Sequence, residues 1–153
     1  MLKIVYEVCM KVIVQRSKES SVSVDNKLIN KIDSGLVLLV GFTEGDDESK
    51  LVTMAKKIVN LRIFDDENGV MNKSILDVGG EILSISQFTL YADTKKGNRP
   101  SYINALSGDK AVLLYDKFNE ELNKYINTYP GVFGADMKVN ITNSGPVTII
   151  LEL

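Results

Sequence analysis

The chain has 153 residues, of which 44% are hydrophobic and 25% are charged, and its net charge is −2. These values are typical of one globular domain, and no apolar run reaches the ~20 residues that a membrane-spanning helix needs. The negative charge excludes a broad basic surface for non-specific nucleic-acid binding, and the single cysteine excludes an internal disulfide. We therefore expect a cytoplasmic protein.

The first half of the chain predicts strands and one helix. β-Branched residues at 11–16 and 21–25 indicate strands, and a turn signal predicts a hairpin from 21–25 to 27–32. The continuous apolar run at 35–42 predicts a strand that is buried on both faces. Apolar residues at helical spacing predict a helix over 47–60.

The middle of the chain predicts two further strands and a second helix. The strands are expected at 61–64 and 81–91, and an apolar stripe at helical spacing predicts the helix over 109–127. Residues 1–9 precede the first strand, and we expect them to be an extension or a mis-assigned start ahead of a single domain at 10–153.

The C-terminal region predicts strands at 137–142 and 147–153, joined by Asn143–Pro146. Strands and helices therefore do not alternate regularly along the chain. This order predicts an α/β fold with mixed β-layers and two helices.

The chain contains no histidine. This absence excludes Ser-His-Asp and Cys-His catalytic groups, the HExxH zinc motif and imidazole as a general base. The sequence also lacks the ligand clusters of a metal centre and the glycine patterns of a dinucleotide site, so we expect no metal and no cofactor. Any hydrolysis must use carboxylates, Lys, Tyr, backbone donors or the substrate itself.

Two polar segments are candidates for a site. On a strand, Ser86 and Phe88 would point one way and Gln87 and Thr89 the other, so that hydroxyl, amide and backbone N–H groups converge on a substrate where the strand ends. An ordinary strand surface carries the same residue types. The rigid Gly145–Pro146 pair fixes the direction of its carbonyl groups and fits either a tight turn or a chiral gate.

The cationic residues give weaker signals. Arg16 ends a strand in an apolar setting, where a guanidinium usually needs a partner. Lys95, Lys96 and Arg99 form the densest basic segment of the chain. By itself this segment is typical of a solvated loop.

Several segments together resemble those of D-aminoacyl-tRNA deacylases. Ser86–Leu90 and Asn143–Thr148 resemble the two signature motifs of that family. Met10–Arg16, Lys95–Pro100 and Phe133–Met137 resemble further family segments, in the family's order and across nearly the whole chain. Each motif alone is weak evidence for the family, whereas five motifs in the family's order are specific to it.

The resemblance implies a homodimeric, three-layer fold with the helices on one side and an active site at the dimer interface. The implied reaction is hydrolysis of the ester between a D-amino acid, or glycine, and the 3′-terminal adenosine of tRNA. Gly145 and Pro146 would form a gate that enters the partner's site, held in place by Arg16. An L side chain would clash with this gate, so the selectivity would rest on steric exclusion.

The resemblance also implies roles for the remaining residues. Backbone N–H groups around Phe88 and Thr89 would form an oxyanion hole, and the 2′-hydroxyl of the adenosine would help to activate water. Thr89 as a nucleophile is the alternative, although no base is evident beside it. The other residues assigned a role are Ser86 and Gln87 in positioning, Lys95, Lys96 and Arg99 in contacts with the tRNA backbone, and Phe133 and Met137 in the adenosine pocket.

Two other functions remain open at this point. A related deacylase could remove a mischarged L-amino acid, with an open gate. A dimeric binding module without enzymatic activity could carry the same strands and turns.

Because the net charge is negative, we expect few phosphate contacts and a shallow salt dependence of tRNA binding.

Overall fold

The computed structural model describes residues 9–153, so most of the segment predicted to be an extension lies outside the described residues. The described part contains ten strands, three α-helices and a 3-10 helix at Phe88–Tyr91. The strands are β1 (Lys11–Ser17), β2 (Ser20–Val24), β3 (Lys27–Ile32), β4 (Gly35–Gly41), β5 (Phe64–Asp65), β6 (Met71–Lys73), β7 (Glu81–Ser86), β8 (Thr128–Pro130), β9 (Met137–Asn140) and β10 (Asn143–Glu152). The helices are α1 (Glu48–Asn60), α2 (Ile75–Val78) and α3 (Gly108–Asn123).

A mixed five-stranded sheet in the order β10-β1-β4-β7-β8 is the centre of the fold. Strand β1 is antiparallel to β10 and β4, whereas β4, β7 and β8 run parallel to one another. A second sheet has the order β3-β2-β9, and β5 and β6 form a short ribbon. The expected α/β class with mixed β-layers is confirmed.

The two long helices pack on one face of the central sheet. Leu51 and Ile58 of α1 and Phe118 of α3 share a core with Leu38 of β4. On the opposite face of the sheet, Val37 packs in a second core with residues of the three-stranded sheet. Strand β4 thus contributes to both cores, which confirms that it is buried on both faces and gives the fold three layers.

Helix α1 begins at the N-cap Asp47, whose side chain accepts a hydrogen bond from the backbone N–H of Lys50. Its bounds agree with the predicted 47–60, whereas α3 ends four residues before the predicted position 127. The prediction of two helices omitted α2, because a helix of four residues is too short for a periodic signal. No helix within residues 9–153 has the length and apolar character needed to cross a bilayer.

Two strand predictions need correction, and two short strands, β6 and β8, were not predicted. The strand expected at 81–91 ends at Ser86, and the chain then enters the 3-10 helix. The strand expected at 61–64 is only a two-residue strand at Phe64–Asp65. Each of these two strands has three residues, which are too few to give an alternating pattern.

The last two strands, predicted at 137–142 and 147–153 with Asn143–Pro146 between them, lie in different sheets. Strand β9 pairs with β2 in the small sheet, whereas β10 pairs with β1 at the edge of the central sheet. Gly145 and Pro146 consequently lie inside β10 and not in a connection between two paired strands.

Candidate active site

A cavity of about 610 Å³ opens where the parallel strands β4 and β7 end. Val40 and Ser86 are paired near these carboxyl ends, which is the edge where parallel sheets usually bind ligands. The volume lies in the range of small-molecule sites. Of the residues predicted for catalysis or adenosine binding, those that line it are Ser86, Gln87, Phe88, Phe133 and Met137.

The chain turns sharply at Gln87. Its N–H donates to the Val40 carbonyl at 2.7 Å, which is the last bond of the strand, and the 3-10 helix starts at the next residue. The first N–H groups of a helix have no partner within it. In the described residues the N–H groups of Phe88 and Thr89, which begin the 3-10 helix, have no hydrogen-bond acceptor outside the helix.

The 3-10 helix changes the expected arrangement of the motif. Phe88 and Thr89 do not continue the strand alternation, because their backbone is helical. The side-chain amide of Gln87 donates to the Thr89 hydroxyl. Thr89 does not line the cavity with its neighbours, which favours a supporting role for its side chain.

Among the described residues, none that lines the cavity has a charged side chain. Its wall is mainly apolar, and its polar groups are Ser86, Gln87 and the hydroxyl of Tyr102. A hydroxyl without an adjacent base is a poor nucleophile. The cavity can therefore bind an uncharged reacting group and stabilise a developing anion with backbone donors, but it supplies no carboxylate or amine as a base.

Tyr115 of α3 supports the side of the cavity that Phe133 lines. Its buried hydroxyl donates to the Ser84 carbonyl at 2.6 Å and accepts from the Gly131 N–H at 3.2 Å. Phe133 packs on the Tyr115 ring with a centroid distance of 5.7 Å. Burial raises the pKa of the Tyr115 hydroxyl. These contacts connect strand β7, helix α3 and the segment after β8 that carries Phe133 and Met137.

The basic segment lies in a loop that ends next to Tyr102, which lines the cavity. Asp93 and Ser101 exchange two backbone hydrogen bonds, of 2.8 and 2.9 Å, which close the loop. Lys95, Lys96 and Arg99 are exposed between them. None of the three lines the main cavity, although Lys95 lines a smaller cavity with Tyr91.

Tyr102 is a site residue that the sequence reasoning missed. It directly follows the basic loop and lines the cavity, where its ring meets that of Phe88 edge to face with a centroid distance of 5.1 Å. The relevant signal was an aromatic residue next to a basic segment, a combination common in single-stranded nucleic-acid sites.

Arg16, Gly145 and Pro146 meet at a second place in the molecule. The Arg16 Nε donates to the Ser144 carbonyl at 3.1 Å, and its Nη1 donates to the Ile63 carbonyl at 3.0 Å. The same Nη1 lies 3.4 Å from Asp65, and only 15% of the Arg16 side chain is exposed. The expectation that Arg16 needs a partner is thus confirmed.

Strand pairing is interrupted at this place. Gln15 pairs with Thr148 and Ser17 with Asn143, so residues 144–147 bulge away from β1. Gly145 has φ +122°, and a Cβ there would lie 2.8 Å from Nη2 of Arg16, which explains why glycine is needed. The Gly145–Pro146 peptide bond is cis, and both residues are exposed.

The cavity and the Gly145–Pro146 bulge lie far apart in the same chain. They are on opposite ends of the central sheet, since β10 bulges near the Ser17–Gly35 pair whereas the cavity adjoins Val40. Five residues of β4 separate these ends by roughly 17 Å, and the three strand spacings from β10 to β7 add roughly 14 Å sideways. One chain does not bring these residues together.

Comparison with known proteins identifies the family. The family model described as D-Tyr-tRNA(Tyr) deacylase matches residues 13–152. A D-aminoacyl-tRNA deacylase of Bacillus velezensis is 55% identical over 144 residues, which are 94% of this chain and 98% of the relative. The chain belongs to the D-Tyr-tRNA(Tyr) deacylase family. The resemblance drawn from the five sequence segments is therefore confirmed.

Two solved structures share the fold of this chain. The structure of the c-Myc DNA unwinding element binding protein is 42% identical with a TM-score of 0.89, covering 94% of this chain and 99% of that one. A probable eukaryotic D-amino acid tRNA deacylase has a TM-score of 0.82, covering 95% of this chain and 100% of that one. Because its sequence identity is 16%, it shows the fold alone.

Proposed function

We propose that this protein hydrolyses the ester bond between a D-amino acid and the 3′-terminal adenosine of tRNA, in the cytoplasm. The products are the free D-amino acid and the tRNA. The observation that carries the proposal is the apolar cavity beside the N–H groups of Phe88 and Thr89. Such a cavity suits an adenosine and an ester, and membership of the deacylase family supports this substrate.

The reaction proceeds by addition of water to the ester carbonyl carbon. The carbonyl oxygen becomes an oxyanion, which the N–H groups of Phe88 and Thr89 stabilise. Removing one such donor typically costs about 10²–10³ in rate. Because none of the described residues that line the cavity has a charged side chain, the 2′-hydroxyl of the terminal adenosine takes part in activating the water. The bond to the 3′-oxygen then breaks, and that oxygen leaves with a proton.

The side chains of the motif position these groups. Ser86 lies at the end of β7, and Gln87 holds the Thr89 hydroxyl through its amide. In this mechanism Thr89→Val keeps measurable hydrolysis, since the hydroxyl forms no bond to the substrate. Complete loss of hydrolysis with unchanged tRNA binding would instead assign Thr89 as the nucleophile.

The chiral gate acts between two copies of the chain. Arg16 fixes the bulge that carries Gly145 and Pro146, and both exposed residues are too far from their own cavity to reach it. A homodimer in which each bulge enters the partner's cavity satisfies both facts. The carbonyl groups of Gly145 and Pro146 would then meet the substrate's α-carbon, where an L side chain clashes. D-Aminoacyl and glycyl esters both fit.

Incubation with D-Tyr-tRNA, L-Tyr-tRNA and Gly-tRNA, without added metal, tests the proposed function. The expected result is hydrolysis of the D and glycyl esters only. Hydrolysis of the L ester would indicate a deacylase for mischarged L-amino acids. Inactivity toward all three would refute the enzyme and favour the dimeric binding module.

A mixed dimer tests whether the gate acts on the partner. One copy carries Ala135→Trp, which blocks its own cavity, and the other carries Arg16→Ala, which releases its own bulge. Purification through two different affinity tags isolates the mixed species. We expect it to hydrolyse only the D ester, because its open cavity faces the intact gate. If the gate acts within one chain, the same species hydrolyses both the D and the L esters.

A further inference from the structure

Two aromatic side chains at the rim of the cavity remain largely exposed. Phe88 is 58% exposed and Tyr102 is 39% exposed, although both also line the cavity. Their rings are 73° apart, so that the edge of one meets the face of the other. An adenosine inside the cavity leaves these outward surfaces open. A second planar group, next to the first, would cover them.

The backbone around Tyr102 is fixed in advance of binding. On one side, Ser101 and Asp93 exchange their two hydrogen bonds. On the other side, the Thr43 hydroxyl donates to the Asn104 carbonyl at 2.6 Å and thereby ties the segment to the end of β4. Because the backbone is held in this way, little backbone entropy is lost when a ligand stacks on the Tyr102 ring.

The side chains beside the aromatic pair are positively charged, as a phosphate-binding segment requires. Lys95, Lys96 and Arg99 are exposed in the loop that leads to Tyr102. In the described residues none of the three side chains forms a salt bridge, although the backbone N–H of Lys95 donates to the Asp93 carboxylate at 3.0 Å. This local excess of positive charge contrasts with the net charge of −2 for the whole chain. Aromatic faces beside cations are the usual means of holding single-stranded nucleic acid.

We infer that Phe88 and Tyr102 form a stacking subsite for the nucleobase that precedes the terminal adenosine. Lys95, Lys96 and Arg99 lie beside the phosphates of that strand. The inference rests on the proposed function, which places the terminal adenosine in the cavity. Since every base has a π-face, the subsite recognises a stacked base and not a particular sequence.

Three small esters separate this subsite from the adenosine pocket. They are D-tyrosyl-adenosine, the D-tyrosyl ester of the dinucleotide cytidylyl-adenosine, and the same dinucleotide with an abasic first residue. We expect kcat/KM to be about tenfold higher for the dinucleotide than for the mononucleoside. The abasic ester should lose most of this gain, because it keeps the phosphate but lacks the stacking base.

Tyr102 variants test which residue provides the gain. Tyr102→Ala should reduce the ratio of dinucleotide to mononucleoside kcat/KM to about the value that the abasic ester gives, whereas Tyr102→Phe should preserve it, because only the ring is needed. Tyr125→Ala is a matched control, since Tyr125 is 43% exposed at a different cavity. Thermal unfolding of each variant verifies that it is folded.

The possible results separate the inference from the proposed function. The stacking subsite would be overturned if Tyr102→Ala left the ratio of dinucleotide to mononucleoside kcat/KM unchanged. It would also be overturned if the abasic ester had the same kcat/KM as the intact dinucleotide. Neither result would contradict the proposed deacylase function. A ratio of about one in the wild-type protein would also overturn the stacking subsite, as expected if a partner subunit covers the two rings. A wild-type protein that hydrolyses none of the three esters refutes the proposed function and this inference with it.

Discussion

The two ends of the central sheet are held by different kinds of interaction. At the cavity end, the 3-10 helix presents backbone N–H groups, and the lining residues within 9–153 have no charged side chain. At the other end, the guanidinium of Arg16 contacts the Ser144 carbonyl, the Ile63 carbonyl and Asp65. The first arrangement depends on the path of the backbone, whereas the second depends on one side chain.

This difference indicates how each end responds to change. A backbone donor survives most side-chain substitutions, so the oxyanion site should tolerate variation that keeps the turn after β7. A guanidinium that makes several hydrogen bonds has no equivalent among the other residue types. The chemical step should therefore be most sensitive to the substrate, and the chiral selectivity most sensitive to a single arginine.

The largest effect is expected when the substrate loses its own hydroxyl. Because no charged side chain in the described part of the chain lines the cavity, the proposed mechanism uses the 2′-hydroxyl of the terminal adenosine. A D-aminoacyl-tRNA that ends in 2′-deoxyadenosine should be hydrolysed about 10²–10⁴-fold more slowly, the usual range for one acid–base group. Single-turnover rates measure this effect, with binding of the uncharged deoxy-tRNA as the control. An unchanged rate would require a base from the protein.

A smaller effect, confined to selectivity, is expected for Arg16→Ala. Loss of its charge-assisted hydrogen bonds costs about 2 kcal/mol and frees the bulge that carries Gly145 and Pro146. The ratio of D to L hydrolysis should fall by about tenfold or more, while the rate on the D ester changes less. Arg62→Ala is the matched control, because that exposed arginine donates to Asn72 elsewhere. Equal losses on the D and L esters would contradict a gate.

Much of the fold was predictable because its longer elements carry periodic signals. Helix α1 and strand β4 follow directly from apolar spacing, and the hairpin of β2 and β3 follows from its turn. The short elements α2 and β8 were missed, since three or four residues give no period. The sequence also did not show which strands pair with each other. The separation of β9 and β10 into different sheets depends on contacts with β2 and β1 that lie far away in sequence.

The site was predicted in its composition but not in its geometry. Resemblance to the family identified Ser86, Gln87 and Phe88, which do line the cavity. The strand alternation assigned to them fails because the chain leaves the sheet at Gln87. The distance between the cavity and the Gly145–Pro146 bulge could not be read from the sequence, since it follows from the order of the strands.

A modest effect on the cavity end is expected from Tyr115→Phe. The variant keeps the packing against Phe133 but removes the hydroxyl that contacts the Ser84 carbonyl and the Gly131 N–H. The free energy of unfolding should fall by about 1 kcal/mol. KM should rise a few-fold at nearly constant kcat, because the adenosine wall loosens while the oxyanion donors stay in place. The ratio of D to L hydrolysis should be unchanged. A loss of this selectivity would show that a change at the cavity end affects the gate at the other end of the sheet.

The smallest effect, absent at neutral pH, is a loss of stability in alkali. Burial raises the pKa of Tyr91 and of Tyr115 above the ordinary value for tyrosine. In the unfolded chain both hydroxyls ionise near about pH 10. The folded protein holds these protons more tightly, so their contribution to stability is complete below about pH 10 and is lost as the pH rises toward the folded-state pKa values. Urea unfolding should give a free energy that declines above about pH 10, and less steeply in Tyr115→Phe. The same pH dependence in Tyr115→Phe and wild type would show that this buried hydroxyl at the cavity wall does not contribute.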